Sequence, residues 1–410
     1  MSRTRKVAAT AALLAGALAL TACSTNRTEA SGGGGGSSCD TSKGTLVVGF
    51  IAPLSGSLSA LGLGMKNSTD LAVNQANQKC TVPGYKLALQ AEDDQATAQI
   101  AAQAATKLAS DPNVVGVIGT LNSSTAQSVA PILAQKKIVE ISPANTNPAL
   151  TQGDNAAAPT RPNATYFRTA TTDAIQGPFA AQYLVQKAGK KKIAVIDDGK
   201  TYGAGLASAF AAEAQKLGAT IVAQAKVGEK DTDFSGVITQ IRGAAPDAVY
   251  YGGEYPVAGP LSKQLADAGL NVPLMGGDGI VDKTYVSLGG RTGDLATNVG
   301  APPEQQPSAK AFLDAYAAAG YKDAYSAYGA LTYDAANVLI AGLSKAVANG
   351  TFSDATRDGL LSAVQATNLQ GATGSVSFDK FGDTTNKVLT VYSVKDGSFQ
   401  PLETGTYPAS

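Results

Sequence analysis

From residue 46 onward, short apolar runs alternate with Ala-rich stretches whose apolar positions recur at helical spacing. The first set of runs predicts strands at 46–51, 85–91, 114–118 and 138–141. A second set predicts strands at 192–196, 220–224 and 248–251. The intervening segments predict helices at 64–78, 96–109, from about 123, and at 204–217, 233–242 and 258–268. Short buried strands separated by helices are typical of parallel sheets with helices on both faces. We therefore predict an α/β protein with two doubly wound parallel-sheet lobes.

The C-terminal part follows a different pattern. Helices are predicted at 309–319 and 331–348, a hairpin-like segment at 374–383 and an alternating strand at 388–394. These elements are too few for a third parallel sheet, so we expect them to complete the first two lobes. In such folds, ligands collect at the carboxyl ends of the strands and between the lobes.

The N-terminal segment resembles a secretory signal. Arg3, Arg5 and Lys6 precede an apolar stretch at 7–20 that is too short for a stable membrane-spanning helix. The sequence LTAC at 20–23 resembles a bacterial lipobox, in which Cys23 is diacylated and becomes the mature N-terminus; an ordinary signal peptide with an incidental Cys is the alternative. The Gly-rich stretch at 31–38 cannot bury apolar surface, so residues 23–43 are expected to form a flexible tether. These features predict a protein that is lipid-anchored on the extracytoplasmic face of the cell membrane.

Composition excludes several classes of function. The chain has 32 basic and 32 acidic residues, and without the three N-terminal basic residues the net charge is −3. Because no basic excess exists, nucleic acid is not an expected partner. The chain contains no His, which rules out Ser-His-Asp and Cys-His catalysis and His metal sites.

Three Gly-rich stretches at 62–67, 199–201 and 203–208 lack a full nucleotide-binding motif and are interpreted as helix starts. No cofactor or metal is predicted.

Two cysteines remain after Cys23. Cys39 precedes the first predicted strand and Cys80 precedes the second. Neighbouring parallel strands would place their starts side by side, and a disulfide is compatible with an oxidising compartment. A Cys39–Cys80 disulfide is therefore predicted, with two free thiols as the alternative.

Four loops, three of which follow the strands predicted above and one of which, at 275–279, lies further along the second set, carry candidate binding residues. Ser123 opens a helix, where free N–H groups, a hydroxyl and the helix dipole suit a carboxylate; helix capping alone is the alternative. Thr146, in the Pro-containing loop 141–150, could donate to the same anion. Asp278 lies between two glycines and Glu254 follows Gly253, so either could hold an ammonium group or simply be a solvated turn residue.

Taken together, the motifs resemble those of the leucine/isoleucine/valine-binding proteins of bacterial ABC importers. The resemblance runs from about residue 48 to 399. The segments that carry it are PLSG at 53–56, GTLNSS at 119–124, ISPANTNPALT at 141–151, FRT at 167–169, QGP at 176–178, YGAG at 202–205, GEK at 228–230, DFS at 233–235, YYGG at 250–253 and GSVSFD at 374–379.

The resemblance implies a type I periplasmic-binding-protein fold, with two lobes joined by a hinge of three crossovers near 168–173, 298–303 and 372–378. The implied organisation is a signal peptide (1–22), a lipidated tether (23–43), an N-terminal lobe (44–169 plus 303–373) and a C-terminal lobe (170–302 plus 374–410). A monomer is expected that delivers its ligand to ABC permease subunits, without catalysis.

The resemblance also assigns roles within the site. Ser123 and Thr146 match positions that contact the α-carboxylate and ammonium of an amino acid, with backbone help near Leu121 and Ala144. Asp278 matches an acidic position that pairs with the ammonium. Tyr202 would close over the ligand, and Tyr328 would line an apolar floor.

Two departures from the family pattern affect the expected substrate. Leu61 and Glu254 stand where relatives often have aromatic residues. A carboxylate beside an aliphatic ligand is costly, so Glu254 would pair with a polar ligand group or point away. Leucine, isoleucine or valine is the first expectation. The alternatives are another amino acid, an amide or small organic solute, or an extracellular ligand sensor of the same fold.

Overall fold

The computed structural model describes residues 39–407. The predicted signal peptide, Cys23 and the first part of the predicted tether lie outside these residues. The strands are β1 Gly44–Ala52, β2 Tyr85–Asp93, β3 Val114–Gly119, β4 Val139–Ser142, β5 Tyr166–Arg168, β6 Lys192–Asp197, β7 Thr220–Lys226, β8 Ala248–Gly252, β9 Leu274–Gly276, β10 Leu295–Val299, β11 Asn368–Gly371, β12 Gly374–Ser377, β13 Val388–Lys395 and β14 Ser398–Thr406. The helices are α1 Ser59–Gln78, α2 Ala98–Ser110, α3 Ser123–Gln135, α4 Ala149–Gln152, α5 Asp173–Gln182, α6 Thr201–Lys216, α7 Ser235–Arg242, α8 Tyr255–Asp267, α9 Lys283–Ser287, α10 Lys310–Ala319, α11 Gly329–Ala346 and α12 Arg357–Gln365.

The first lobe is built on a parallel sheet of five strands in the order β2-β1-β3-β4-β5. Every residue of β3 is buried because helices cover both faces of the sheet. Apolar side chains of β1 such as Phe50 pack with α1 and α11, whereas Ile51, on the opposite face, packs with α2 and α3.

The second lobe is built on a sheet of seven strands in the order β14-β13-β10-β9-β8-β6-β7. The strands from β7 to β10 pair in parallel, whereas β13 and β14 add in antiparallel fashion. The C-terminal part therefore completes both lobes as predicted, because α11 packs on the first sheet and β13 and β14 extend the second.

Three chain crossovers connect the lobes. The chain passes from β5 to α5, which packs on α6; from β10 back to α10 and α11; and from β12 to β13. Arg168, at the end of β5, is fully buried and donates from Nε to Oδ1 of Asp383 at 2.6 Å. The predicted fold of two parallel-sheet lobes with a three-crossover hinge is confirmed.

The predicted disulfide is present between Cys39 and Cys80, whose Cα atoms are 5.3 Å apart. Strands β1 and β2 pair in parallel from Gly44 and Tyr85, which brings the residues before each strand together. The bond closes a 41-residue separation, for which a crosslink of this kind contributes about 4 kcal/mol.

Across residues 39–407, no helix has both the length and the apolar character needed to cross a bilayer.

Candidate ligand-binding site

A small cavity lies where the carboxyl ends of strands from both sheets face each other. Its lining residues are Leu61, Leu121, Asn122, Ser123, Ala144, Tyr202, Glu254, Asp278, Gly279 and Tyr328. Seven of the eight predicted ligand contacts are among them. The eighth, Thr146, is fully buried outside the lining, and its backbone carbonyl accepts a hydrogen bond from the Asp173 N–H at 2.8 Å.

The start of α3 forms the wall contributed by the first sheet. Strand β3 ends at Gly119, and the chain turns through Leu121 and Asn122 into a helix whose first residue is Ser123. The first N–H groups of a helix have no acceptor within it, and they carry the positive end of its dipole. Ser123 Oγ accepts a 3.5 Å hydrogen bond from the Asn147 N–H, so its own hydrogen remains free to donate. This arrangement suits a carboxylate.

The loop after β4 is fastened to the loop after β3 by buried hydrogen bonds. Ser142 Oγ donates to the Thr120 carbonyl at 3.0 Å and accepts from the Asn145 N–H at 2.9 Å. Asn145 Nδ2 donates to the Leu121 carbonyl at 2.8 Å. Ala144 and Leu121 therefore hold fixed positions relative to each other on one side of the cavity.

Asp278, two residues after the end of β9, is the main acidic group of the opposite wall. Its Oδ1 accepts from Tyr202 at 2.8 Å and from Gln176 Nε2 at 2.7 Å, and its Oδ2 accepts from Tyr328 at 2.8 Å. Burial raises the pKa of Asp278 to about 6, although the tyrosine hydroxyls act in the opposite direction. A buried carboxylate held in this way suits an ammonium group.

Glycines allow the close packing that places Tyr202. A Cβ atom at Gly277 would lie 2.5 Å from the Tyr202 hydroxyl oxygen. A Cβ atom at Gly203 would lie 2.4 Å from the Gly252 carbonyl oxygen. Side chains at either position would push α6 away from β8 and β9, so the Gly-rich stretch at 203–208 serves packing beside the cleft.

Glu254 lies after β8 and lines the cavity, with its side chain 14% exposed. Its Oε1 accepts a hydrogen bond from Asn122 Nδ2, and Lys200 Nζ is 3.8 Å from its Oε2. Burial raises the pKa of Glu254 to about 7, while the charge of Lys200 lowers it. Glu254, one of the two residues that depart from the family pattern, therefore faces the cavity.

Two polar residues near Asp278 were not among the predicted contacts. Gln176 binds Asp278 although 102 positions separate them in the chain. Asp173 is fully buried, and neither of its carboxylate oxygens has a hydrogen-bond partner within residues 39–407. Burial, and then the charge of Asp278, raise the pKa of Asp173 well above its ordinary value. Both residues lie on α5, which the apolar pattern did not mark as a helix.

Comparison with known proteins gives consistent matches over this region. The family described as periplasmic binding protein matches residues 45–398. The Leu/Ile/Val-binding protein BraC3 of Rhizobium johnstonii is 31% identical over 87% of this chain and 94% of its own length. A leucine-binding protein of Thermotoga maritima is 28% identical, with a TM-score of 0.78 over 88% of this chain and 99% of that structure. A branched-chain amino acid binding protein of Streptococcus pneumoniae, solved with isoleucine, is 25% identical, with a TM-score of 0.76 over 88% and 99% of the two chains.

Proposed function

The chain belongs to the periplasmic binding protein family, in its leucine/isoleucine/valine-binding group, and we propose that it is the extracytoplasmic receptor of an ABC importer for a small α-amino acid. The observation that carries this proposal is the pairing of two complementary groups across one cavity. The start of α3 with Ser123 offers donors for a carboxylate, and Asp278 offers an acceptor for an ammonium. Relatives named for leucine, isoleucine and valine make branched-chain amino acids the reference ligands.

Ligand capture would proceed by closure of the hinge. An amino acid would first rest on the fixed loops of the first lobe, at Ser123 and Ala144. Closure would then bring Tyr202 and Asp278 onto it and exclude water. The closed form would dock on the permease and release the amino acid without covalent chemistry.

The anchor forms a second part of the proposal. LTAC at 20–23 supports lipidation of Cys23, which would keep the receptor close to its permease. If Cys23 is lipidated, the wild-type chain fractionates with membranes and a Cys23→Ala variant does not acquire the lipid. Equal incorporation of a labelled fatty acid by both forms would contradict the anchor.

A thermal-shift screen of the full chain in mild detergent tests the function. L-amino acids, their amides and small carboxylic acids are compared at equal concentration. A ligand at a hundredfold above its dissociation constant stabilises the folded form by about 2.7 kcal/mol. A shift from at least one L-amino acid supports the proposal, and no shift from any of them contradicts it.

A further inference from the structure

Asp278 and its donors Tyr202, Gln176 and Tyr328 are called the Asp278 cluster, and the cavity has a second polar wall that shares no residue with it. Asn122 and Glu254 form this wall; together with Lys200, which does not line the cavity but lies 3.8 Å from Glu254 Oε2, we call them the Glu254 group. Asn122 is 3% exposed, and both Asn122 and Glu254 line the cavity. The Asp278 cluster already offers an acceptor for the ligand ammonium, and the start of α3 offers donors for the ligand carboxylate. The Glu254 group therefore faces a part of the ligand that these two sites do not explain.

Asn122 is not used as a helix cap, although it occupies the N-cap position of α3. An Asn side chain at this position ordinarily accepts a hydrogen bond from an N–H of the first turn. Here no such bond forms, and Nδ2 donates to Glu254 Oε1 instead. Asn122 Oδ1 is buried and has no hydrogen-bond partner in the described part of the chain. A buried acceptor without a donor is destabilising, so this oxygen indicates a missing partner.

Glu254 offers a second acceptor. Its Oε2 is 3.8 Å from Lys200 Nζ, too long for a hydrogen bond. Lys200 Nζ instead makes its close ion pair with Glu229, whose side chain is 49% exposed. One oxygen of Glu254 and one of Asn122 are therefore without a hydrogen-bond partner among the described residues, and both belong to residues that line the same wall of the cavity.

We propose that this wall selects amino acids whose side chain donates a hydrogen bond, through Asn122 Oδ1 and the Glu254 carboxylate. The inference rests on the proposed function, because it assumes an α-amino acid held at Ser123 and Asp278. Little free space remains between the residues that line the cavity, which favours a short side chain. Lys200 would repel a second cation beside Glu254, which favours a neutral hydroxyl or carboxamide over an amine or guanidine. Threonine and asparagine have this chemistry.

An aliphatic side chain of the same shape would leave both acceptors unpaired. Sites built to hydrogen-bond a ligand hydroxyl or amide discriminate strongly against analogues that lack it. Threonine and valine are nearly isosteric, and asparagine and leucine have approximately the same shape. The two pairs therefore isolate the hydrogen-bonding group from the size of the ligand.

Isothermal titration of the full chain with these four amino acids tests the inference. We expect threonine to bind at least tenfold more tightly than valine, and asparagine at least tenfold more tightly than leucine. Glu254→Leu should reduce each ratio at least tenfold, whereas Glu254→Gln, which keeps an acceptor, should hold it within about threefold. Glu403→Gln is the matched control, because it removes a carboxylate that pairs with a lysine, Lys187, and neither residue lines the cavity.

The outcomes separate this inference from the proposed function. If valine and leucine bind the wild-type chain as tightly as threonine and asparagine, the inference is wrong and the amino-acid receptor stands. If none of the four binds, the inference is wrong, and the thermal-shift screen of all L-amino acids decides whether the proposed function also fails. If a variant fails to fold, the affinities of the wild-type chain for the four amino acids are sufficient to test the inference.

Discussion

The hydroxyl of Tyr328 donates a 2.8 Å hydrogen bond to Oδ2 of Asp278, and the two residues belong to different lobes. Tyr328 precedes α11, which packs on the first sheet, whereas Asp278 follows β9 of the second sheet. Asn122 and Glu254 make a second hydrogen bond across the same cleft. The residues that would hold the ligand are thus also residues that hold the lobes together, which links occupancy to closure.

Asp278→Asn should weaken amino-acid binding while leaving the shape of the cavity intact. An asparagine can accept from one tyrosine hydroxyl through Oδ1 and donate to the other through Nδ2, but it cannot pair with an ammonium charge. Losing a charged hydrogen bond of this kind costs about 2–3 kcal/mol, or about 30- to 150-fold in affinity. Titration calorimetry measures the change, and the melting temperature without ligand serves as the folding control. Unchanged affinity in a folded variant would remove Asp278 from the site.

The same carboxyl predicts a pH dependence of binding. The pKa of Asp278 is raised to about 6, so its charged form predominates above that pH and is lost below it. Affinity should be flat from pH 7 to 8 and about tenfold weaker at pH 5, since an ammonium requires the charged carboxylate.

The pKa of Glu254 is also raised, to about 7, mainly by burial, whereas the charge of Lys200 and the hydrogen bond from Asn122 act in the opposite direction. The pH series is therefore measured in a Glu254→Gln background, which leaves Asp278 as the main titrating group of the cavity. Flat affinity down to pH 5 in that background would contradict the role given to Asp278.

The pH dependence of stability without ligand should have the opposite sign to that of binding. Because the folded pKa of Asp278 lies above its ordinary value of 3.8, the folded chain holds more protons between pH 4 and 6. The contribution of Asp278 to the free energy of unfolding therefore falls as pH rises through that window. Asp278→Asn removes this slope, which urea unfolding at pH 4.5 and 6.5 can measure. If the free energy of unfolding falls more steeply with rising pH in the variant than in wild type, the pKa of Asp278 is not raised in the folded chain.

Ser123→Ala should weaken binding without loosening the fold. The side chain is the first residue of α3 rather than its cap, so removing Oγ takes away one donor for the ligand carboxylate. A hydrogen bond to a charged group contributes about 1.5–3 kcal/mol, or about 10- to 150-fold in affinity. Ser124→Ala, one residue further along the helix and outside the cavity lining, is the control. Equal effects of the two substitutions would argue against a contact at Ser123.

Asp383→Asn should destabilise the hinge strongly. Asp383 pairs with fully buried Arg168, whose Nη1 also donates to the Asn147 carbonyl at 2.8 Å. Removing one partner of a buried ion pair costs about 3–5 kcal/mol.

Lys310→Met provides the comparison for this prediction, because Lys310 and Asp314 form an exposed pair. Such a pair contributes about 0.2–1 kcal/mol at most. The free energy of unfolding in urea is measured for both variants. Similar losses in the two would show that the Arg168 pair does not stabilise the hinge.

The apolar pattern predicted the long buried strands well. Strands such as β1, β3 and β6 were placed within two residues of their ends because they are continuous apolar runs. Strand β5 was missed because it has three residues and ends in Arg168, a charged side chain that is fully buried only through its pairing with Asp383. Strand β14 was missed because it is an edge strand whose residues alternate with exposed polar positions and include Pro401.

The site was predicted less completely than the fold. Loop residues after strands, such as Ser123 and Asp278, could be named because a parallel sheet gathers its carboxyl ends at one edge. Gln176 could not, because its contact with Asp278 depends on how α5 packs across the crossover. Nor could local sequence reveal the pairing of Asn122 with Glu254, which spans 132 positions and forms only when the lobes face each other.

The central claim, that one cavity holds both the carboxylate and the ammonium of an amino acid, is tested most directly with ligand analogues. Calorimetry on the full chain compares threonine and valine with their amides, which lack the carboxylate, and with 3-hydroxybutanoate and 3-methylbutanoate, which lack the ammonium. The account predicts that at least one intact amino acid binds and that its two analogues bind at least a hundredfold more weakly. An amide or a deaminated acid that binds as tightly as the intact amino acid would contradict it.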